Sequence, residues 1–330
     1  MRKISVVTGC YNEEGNLVEL YERLVTVLNG LSEFTYEIII ADNCSTDGSR
    51  SILRKLAAQD KQVKVIFNSN NFGQIRSPFN ALLHASGDCV VAMCSDLQNP
   101  PEMIVEFVKK WEEGFNVVVA VKEQSNESPL MSLVRKAYYK LLSGASDSHE
   151  IIQDFTGFGL YDRKFMDALK QYHDPYPYFR GLVSEIGLRR AAIYYRQAER
   201  KHGRKKNNLF TLYDVAMTGF VNHSKLPLRL ATFAGFCLGG VNLVVALTYL
   251  IRKLICWETF SLGLAPLVVG FFFFSAVQLI FIGIIGEYVG AVLTQVKNRP
   301  LVIEDEKINF EKNLVPTVTE SQMGGNKMST

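Results

Sequence analysis

Along residues 1–125, short apolar runs of β-forming type alternate with longer segments whose apolar residues recur at helical spacing. The runs are Ile4–Thr8, Tyr36–Ala41, Val63–Phe67, Cys89–Met93 and Val117–Val121. Between them, Glu13–Leu28, Asp47–Ala58, Gln74–Ala85 and Pro101–Glu113 carry the i, i+3, i+4 pattern of amphipathic helices. Strand and helix in alternation predict an α/β fold with a mostly parallel sheet covered on both faces. Open sheets of this kind bind ligands beyond the carboxyl ends of their strands. That directs attention to Gly9–Glu14, Asp42–Ser49, Asn68–Arg76 and Cys94–Pro100.

The pattern loosens after residue 125. It predicts a helix at Leu130–Leu142, an extended piece at Ile151–Tyr161, a short helix from Arg163 and a strand at Ala191–Tyr195. Arg189–Lys206 then holds eight Lys or Arg against one acid, Glu199. Leu209, Phe210, Leu212, Tyr213, Val215, Ala216, Phe220 and Val221 follow at near-helical spacing, as in a helix lying at a membrane interface. A solvated basic face is the other reading of the charge run, and attraction to anionic headgroups or a lipid phosphate stands beside it.

Two long uncharged stretches come next, 22 residues at Leu230–Ile251 and 26 at Ser261–Gly286. At about 1.5 Å per residue each exceeds a hydrocarbon core of roughly 30 Å, so both are expected to span a membrane. Lys225, Arg229, Lys297 and Arg299 flank the outer ends against Arg252 and Lys253 between the spans, which places both termini in the cytoplasm. The polar tail after Arg299 is expected to be disordered.

Composition narrows this further. The 330 residues are 48% hydrophobic and 21% charged, with a net charge of +3, which gives no reason to expect nucleic acid as a partner. The cysteines at 10, 44, 89, 94, 237 and 256 form no C-x-x-C pair, so reduced thiols are expected rather than a disulfide framework or zinc site. The start, MRKISVVTGC, enters a strand-like run and has no signal-peptide pattern.

Chemistry concentrates at the strand ends. Asp42 stands where the second strand meets its helix and can accept hydrogen bonds from a base or ribose, while Asp47 suits capping of that helix. Asp96 ends the fourth strand as a hard oxygen donor for Mg²⁺ or Mn²⁺ on a diphosphate. It also suits an Asp bonded to its own loop. Arg180 could reach a phosphate or pack on aromatic rings.

Cys10-Tyr11-Asn12-Glu13-Glu14, the Asp42–Gly48 turn, Asn71-Phe72-Gly73 and Asp96-Leu97-Gln98-Asn99-Pro100-Pro101-Glu102 occur in the order seen in family-2 glycosyltransferases of the GT-A fold. The sequence most resembles the polyprenyl-phosphate glycosyltransferases, the bactoprenol glucosyltransferases and dolichol-phosphate mannose synthases. Gly286-Glu287-Tyr288-Val289-Gly290 with Lys297-Asn298-Arg299-Pro300 resembles the close of the second span in two-span members.

The resemblance implies a GT-A (Rossmann-like, mostly parallel α/β) catalytic domain at 1–200 and a basic interfacial segment at 201–228. A two-helix transmembrane domain follows at 229–290, with spans at about 230–251 and 261–286. A cytosolic juxtamembrane segment and disordered tail occupy 291–330. It implies an inverting, multi-pass enzyme of the inner cell membrane that moves a sugar from a nucleotide sugar to a polyprenyl phosphate, and it leaves a homo-oligomer open. Glu13 and Asp42 then hold the nucleotide, joined as donor contacts by Thr8, Tyr11, Asn12, Asn71, Gly73 and Gln98. Asp96 holds the metal and Arg200 faces phosphate, and Arg180, Lys201 and Arg204 are further candidates for phosphate or acceptor binding.

Three departures matter. The usual Asp-x-Asp is Cys94-Ser95-Asp96, Gly9 replaces a common Pro, and Thr156-Gly157-Phe158-Gly159 lacks the usual Asp and Arg. Asp154, three residues upstream of where that Asp would fall, is the available substitute to face the reacting centre, and a structural Asp at a strand edge is the other, commoner reading. Two alternatives stay open: a polysaccharide synthase, for which the spans are few and a Gln-x-x-Arg-Trp motif is missing, and a catalytically inactive nucleotide-sugar-binding membrane protein.

Overall fold

The computed structural model describes residues 1–123, 152, 154–198, 226–255, 264–297 and 299–310. The elements in chain order are β1 (Arg2–Cys10), α1 (Leu17–Gly30), β2 (Phe34–Asp42), α2 (Ser49–Gln59), β3 (Val63–Asn68), α3 (Gly73–Leu83), β4 (Cys89–Cys94), α4 (Met103–Glu112), β5 (Val117–Lys122) and β6 (Phe155–Asp162). They continue with α5 (Arg163–Leu169), α6 (Phe179–Glu185), β7 (Arg190–Tyr195), α7 (Leu226–Ile255), α8 (Leu264–Lys297) and β8 (Glu304–Ile308). The expected helix at Leu130–Leu142 and residues 201–225 of the basic amphipathic segment lie outside the described residues.

The strands form one sheet in the order β7-β5-β6-β4-β1-β2-β3-β8. β1, β2, β3 and β4 run parallel, as do β5 and β7, while β6 lies antiparallel between β4 and β5. Unbroken apolar runs such as Val6-Val7 and Ile38-Ile39-Ile40 suit strands buried on both faces. One core layer packs Leu17, Leu20 and Leu24 of α1, Leu53 of α2 and Phe107 of α4 on the sheet. The opposite layer packs Phe79 and Leu82 of α3, Phe165 of α5 and Leu182 of α6.

At the sheet edge, residues 304–308 correct the expectation of disorder after Arg299: they form β8, antiparallel to β3. The segment Glu-Asp-Glu-Lys-Ile reads as polar because its partners are the side chains of neighbouring helices. Arg54 of α2 pairs with Glu306, and Asn80 of α3 donates to Glu304 at 2.7 Å. Asn309, just beyond, donates from Nδ2 to the carbonyls of Ala57 at 2.7 Å and Val63 at 2.8 Å.

α7 and α8 enclose most of the two uncharged stretches. Among the described residues, Phe273–Lys297 in α8 is long and apolar enough to cross a membrane, with a mean hydropathy of 2.0, whereas Ala231–Val241 in α7 is a shorter apolar stretch. Phe233, Phe236, Leu279, Ile280 and Val296 on these helices are exposed.

Candidate active site

The strand ends converge on one edge of the sheet. Cys10, Asp42, Asn68, Cys94, Lys122 and Tyr195 close the parallel strands there. Because β6 is reversed, its approach through Asp154 lies at the same edge, and Asp154 O accepts from Lys122 N at 3.3 Å. Backbone strain gathers here too. Asn12, Cys44, Leu97 and Asp154 have φ of 55°, 62°, 60° and 56°. Each costs on the order of 1–3 kcal/mol and persists only where the surroundings over-determine it, which is characteristic of functional edges.

The loops after β1 and β2 hold each other. Asn12 N donates to Ser45 Oγ at 2.9 Å, Thr46 N to Asn12 Oδ1 at 2.8 Å, and Glu13 N to Ser49 Oγ at 3.0 Å. Glu14 accepts from Gly48 N at 2.6 Å. Asp47 accepts from Ser49 N at 3.0 Å at the start of α2. Burial alone would raise the Asp47 pKa, but hydrogen bonds from Ser49 and Glu14 bring it below the ordinary value. Glu13 accepts from Asn16 Nδ2 at 2.6 Å, so this turn precedes the helix and α1 begins at Leu17 instead of Glu13. Gly9 permits the close approach of α3, since a Cβ there would meet Pro78 Cγ at 2.9 Å.

Asp42 is fully buried, not exposed in the cleft as its strand-end position suggested. Its carboxylate accepts from Ser45 N at 3.2 Å and faces Arg50 Nε at 3.4 Å. Burial raises its pKa, and the Ser45 hydrogen bonds and the Arg50 charge oppose that rise. Thr8 is also buried, its hydroxyl directed to Gly9 O at 3.5 Å. Asn71 and Gly73 lie at the rim, tied to the β2 loop through Asn43.

On the other side, Asp96 is nearly buried and accepts from Gln98 N at 3.2 Å, the local loop bond that its sequence context allowed. Cys94 is exposed, and its backbone N–H is fixed by Asn99 Oδ1 at 2.9 Å. Asn99 Nδ2 donates to Tyr195 Oη at 3.0 Å. Gln98 reaches Ala198 O at 3.5 Å. Lys122 is half-buried. Burial and the Arg180 charge lower its pKa, while Cys94, Asp96 and Asp154 raise it, so these groups share one electrostatic neighbourhood. Arg200, Lys201 and Arg204 lie outside the described residues.

Sequence reasoning missed Lys122, one residue past an apolar run at a strand end, where the strand-end rule would have found it. It also missed Asn43, the hinge-pin between two rims. Among the described residues no three His, Cys, Asp or Glu side chains cluster to cage a metal.

Residues 5–169 match the model of glycosyl transferase family 2. The chain belongs to that family. This glycosyltransferase is 35% identical over 308 residues to an uncharacterised glycosyltransferase of Bacillus subtilis (strain 168), covering 93% of this chain and 94% of that one. It is 31% identical over 302 residues to the SfII prophage-derived bactoprenol glucosyl transferase of Shigella flexneri, covering 91% and 97%. A solved mannosyltransferase of Pyrobaculum calidifontis, in complex with GDP-Man and Mn²⁺, aligns over 90% of this chain and 87% of that one at 18% identity and a TM-score of 0.43. The glycosyltransferase has a GT-A-like α/β fold with a mostly parallel sheet.

Proposed function

We propose that this glycosyltransferase is a membrane-bound, inverting enzyme that transfers a sugar from a nucleotide-sugar donor to a polyprenyl phosphate at the cytoplasmic leaflet. One observation carries the reading: the end of the long apolar helix arrives beside the strand-end edge. Gln295 of α8 donates to Asp174 at 2.9 Å, and Arg76 of α3 donates to Pro300 O at 2.6 Å. Exposed Phe233, Phe236, Leu279 and Ile280 call for an apolar surrounding, which lipid supplies. A cleft at that level meets an acceptor whose phosphate sits among headgroups and whose tail cannot leave them. The bactoprenol glucosyl transferase relatives support the acceptor class. Two spans with both termini cytoplasmic complete the proposal.

The acceptor phosphate, with a second pKa near 6, is anionic at neutral pH and needs little help from a base. Its oxygen forms a bond to the anomeric carbon as the bond to the donor diphosphate breaks, and the nucleoside diphosphate leaves with the electron pair. Lys122 and Arg180 are the described cations placed to offset that leaving charge. GT-A enzymes commonly use a divalent metal, and a single carboxylate acting with donor phosphates fits Mg²⁺ or Mn²⁺, so Asp96 would hold the ion. When bound, the ion neutralises charge on the diphosphate. The Asn12–Glu13 turn and the loop after β2 take the nucleoside end, with Asp42 holding that loop from behind through Ser45 N.

The test incubates purified full-length protein with UDP- and GDP-sugars and radiolabelled undecaprenyl phosphate, with and without Mn²⁺. A lipid-linked monosaccharide is the expected product. Long polymer would indicate a polysaccharide synthase. Nucleotide binding without turnover would indicate an inactive binding protein, the reading that Cys94 favours.

A further inference from the structure

β8, the strand that follows the last long helix, reaches the donor side of the cleft through one arginine. Arg50 stands on the first turn of α2. Its Nε lies 3.4 Å from Asp42 Oδ2, and its Nη2 lies 3.4 Å from Asp305 Oδ2 of β8. Asp42 is fully buried, whereas the Asp305 side chain is 58% exposed, so the guanidinium links an interior carboxylate to a surface one.

Local geometry explains how Asp305 reaches this position. Phe67 pairs with Glu306 and Asn68 with Glu304, so Asp305 is the extra residue of a bulge. The bulge lets Asp305 and Glu306 both meet α2, where Glu306 holds Arg54 at 2.6 Å. The guanidinium groups of Arg50 and Arg54 lie 4.8 and 4.5 Å from the Phe67 ring centre. Stacking and the outer carboxylate together fix the plane of Arg50. A planar fork can serve two carboxylates at once, which a lysine ammonium cannot do with the same geometry.

A carboxylate withdrawn from water stays ionised only if it is paired. We propose that Arg50, held in register by Asp305 of β8, is a positioning residue for the donor site, so that the Asp305–Arg50 contact, and not the fastening of β8 as a whole, sets the affinity for the nucleoside diphosphate. This rests on the reading of the loop after β2, which Asp42 holds at Ser45 N, as part of the donor site. It gives β8 a role beyond covering a sheet edge: the chain leaving the membrane helix adjusts the cleft that the helix adjoins.

The experiment uses full-length protein in detergent, titrated calorimetrically with UDP and GDP, the tighter being followed, together with KM and kcat for the matching nucleotide sugar. Asp305→Asn is expected to raise Kd and donor KM about two- to fivefold, the scale of one screened ion pair, with kcat little changed. Arg50→Met raises them further, and Arg50→Lys recovers part. Glu306→Gln loosens the same strand without touching Arg50 and is expected to leave Kd unchanged. Unaltered binding in Asp305→Asn, or equal losses in Asp305→Asn and Glu306→Gln, would overturn the proposal. If Asp42→Asn also binds nucleotide normally, the donor-site reading of that loop fails and takes this inference with it. If Asp42→Asn weakens binding and Asp305→Asn does not, only this inference fails.

Discussion

Asn43 donates from Nδ2 to Asn71 Oδ1 at 2.7 Å, and its own Oδ1 accepts from Phe72 N at 2.9 Å. One nearly buried amide thereby joins the loop after β2 to the loop after β3, and Asn68 Nδ2 reinforces it at 3.3 Å. Asn43→Ala leaves the Phe72 N–H and the Asn71 carbonyl without these partners. The expected loss is about 1–3 kcal/mol of stability, read from urea unfolding. Donor KM rises with it, because both loops form the rim. Asn43→Asp keeps the acceptor for Phe72 and loses the donor to Asn71, so it should fall between the two.

Lys122 yields a prediction separable from folding. Removing a half-buried cation relieves a desolvation cost, so Lys122→Met should keep its melting temperature. If the ammonium stabilises the departing diphosphate, kcat falls about a hundredfold or more. Burial and Arg180 lower its pKa against Cys94, Asp96 and Asp154, so its charge is lost at a lower pH than that of an ordinary lysine. Activity should therefore decline on the alkaline side. Lys122→Arg, which stays protonated, should remove that decline. A pH–rate profile that is the same in both proteins would refute the role.

Glu37 controls stability in acid. It is buried within β2, with Lys3 and Lys64 each at 2.7 Å and Ser86 N donating at 2.8 Å. Burial opposes its ionisation, yet the hydrogen bonds from Lys3, Lys64 and Ser5 hold its pKa at about 2, down from 4.5. The unfolded chain takes up a proton near pH 4.5 that the folded chain refuses until about pH 2, so this contribution is present above 4.5 and lost as pH falls through about 2. It amounts to about 3 kcal/mol. Glu37→Gln should flatten the acid limb of a stability–pH curve.

The parts of this protein that were legible in sequence are those that a single physical rule governs. The runs around Val6, Ile39, Val65, Val91 and Val119 are apolar on both faces, so each declares a buried parallel strand. The polar β8 carries no such signal, because it is an edge strand whose charges are matched by Arg50, Arg54 and His84 from distant parts of the chain. α6, a helix of only seven residues, is too short to show a helical apolar period. The strand-end rule pointed to the loop that carries Asp96, and the family resemblance pointed to Asp154, but neither could tell that Asp42 turns inward. The pairing of Asp42 with Arg50 depends on how α2 packs.

The fastening of β8 should respond to pH. His84 Nε2 lies 3.1 Å from Glu304 Oε1, and this bond raises the His84 pKa and holds Glu304 at about 2. For the histidine, the stability gained is fully present below its ordinary pKa of 6.5 and is lost as pH rises through the raised value. For Glu304 it is present above 4.5 and lost towards about 2. Protection of the 304–308 amides from hydrogen exchange, corrected for intrinsic rates, should therefore peak at about pH 5–6. His84→Gln should abolish the alkaline loss and shrink the acid one to what Lys307 and Asn80 sustain.

The proposed metal dependence is testable at Cys94 and Asp96. A hard divalent cation prefers carboxylate oxygen, and an exposed thiol at Cys94 contributes little to that preference. With Asp96 as the carboxylate, the protein should bind Mn²⁺ weakly alone and more strongly with nucleoside diphosphate, whose phosphates complete the ligand set. Dialysis against EDTA should then remove activity, and added Mn²⁺ should restore it. Cys94→Asp supplies a second carboxylate and should lower the Mn²⁺ needed for half-maximal activity about tenfold, the scale of one added supporting ligand. Asp96→Asn should leave turnover that Mn²⁺ no longer stimulates. Turnover in the unmutated protein that EDTA does not touch would place the diphosphate charge on Lys122 and Arg180 instead. In that case Lys122→Met should become metal-responsive only when Cys94→Asp is combined with it.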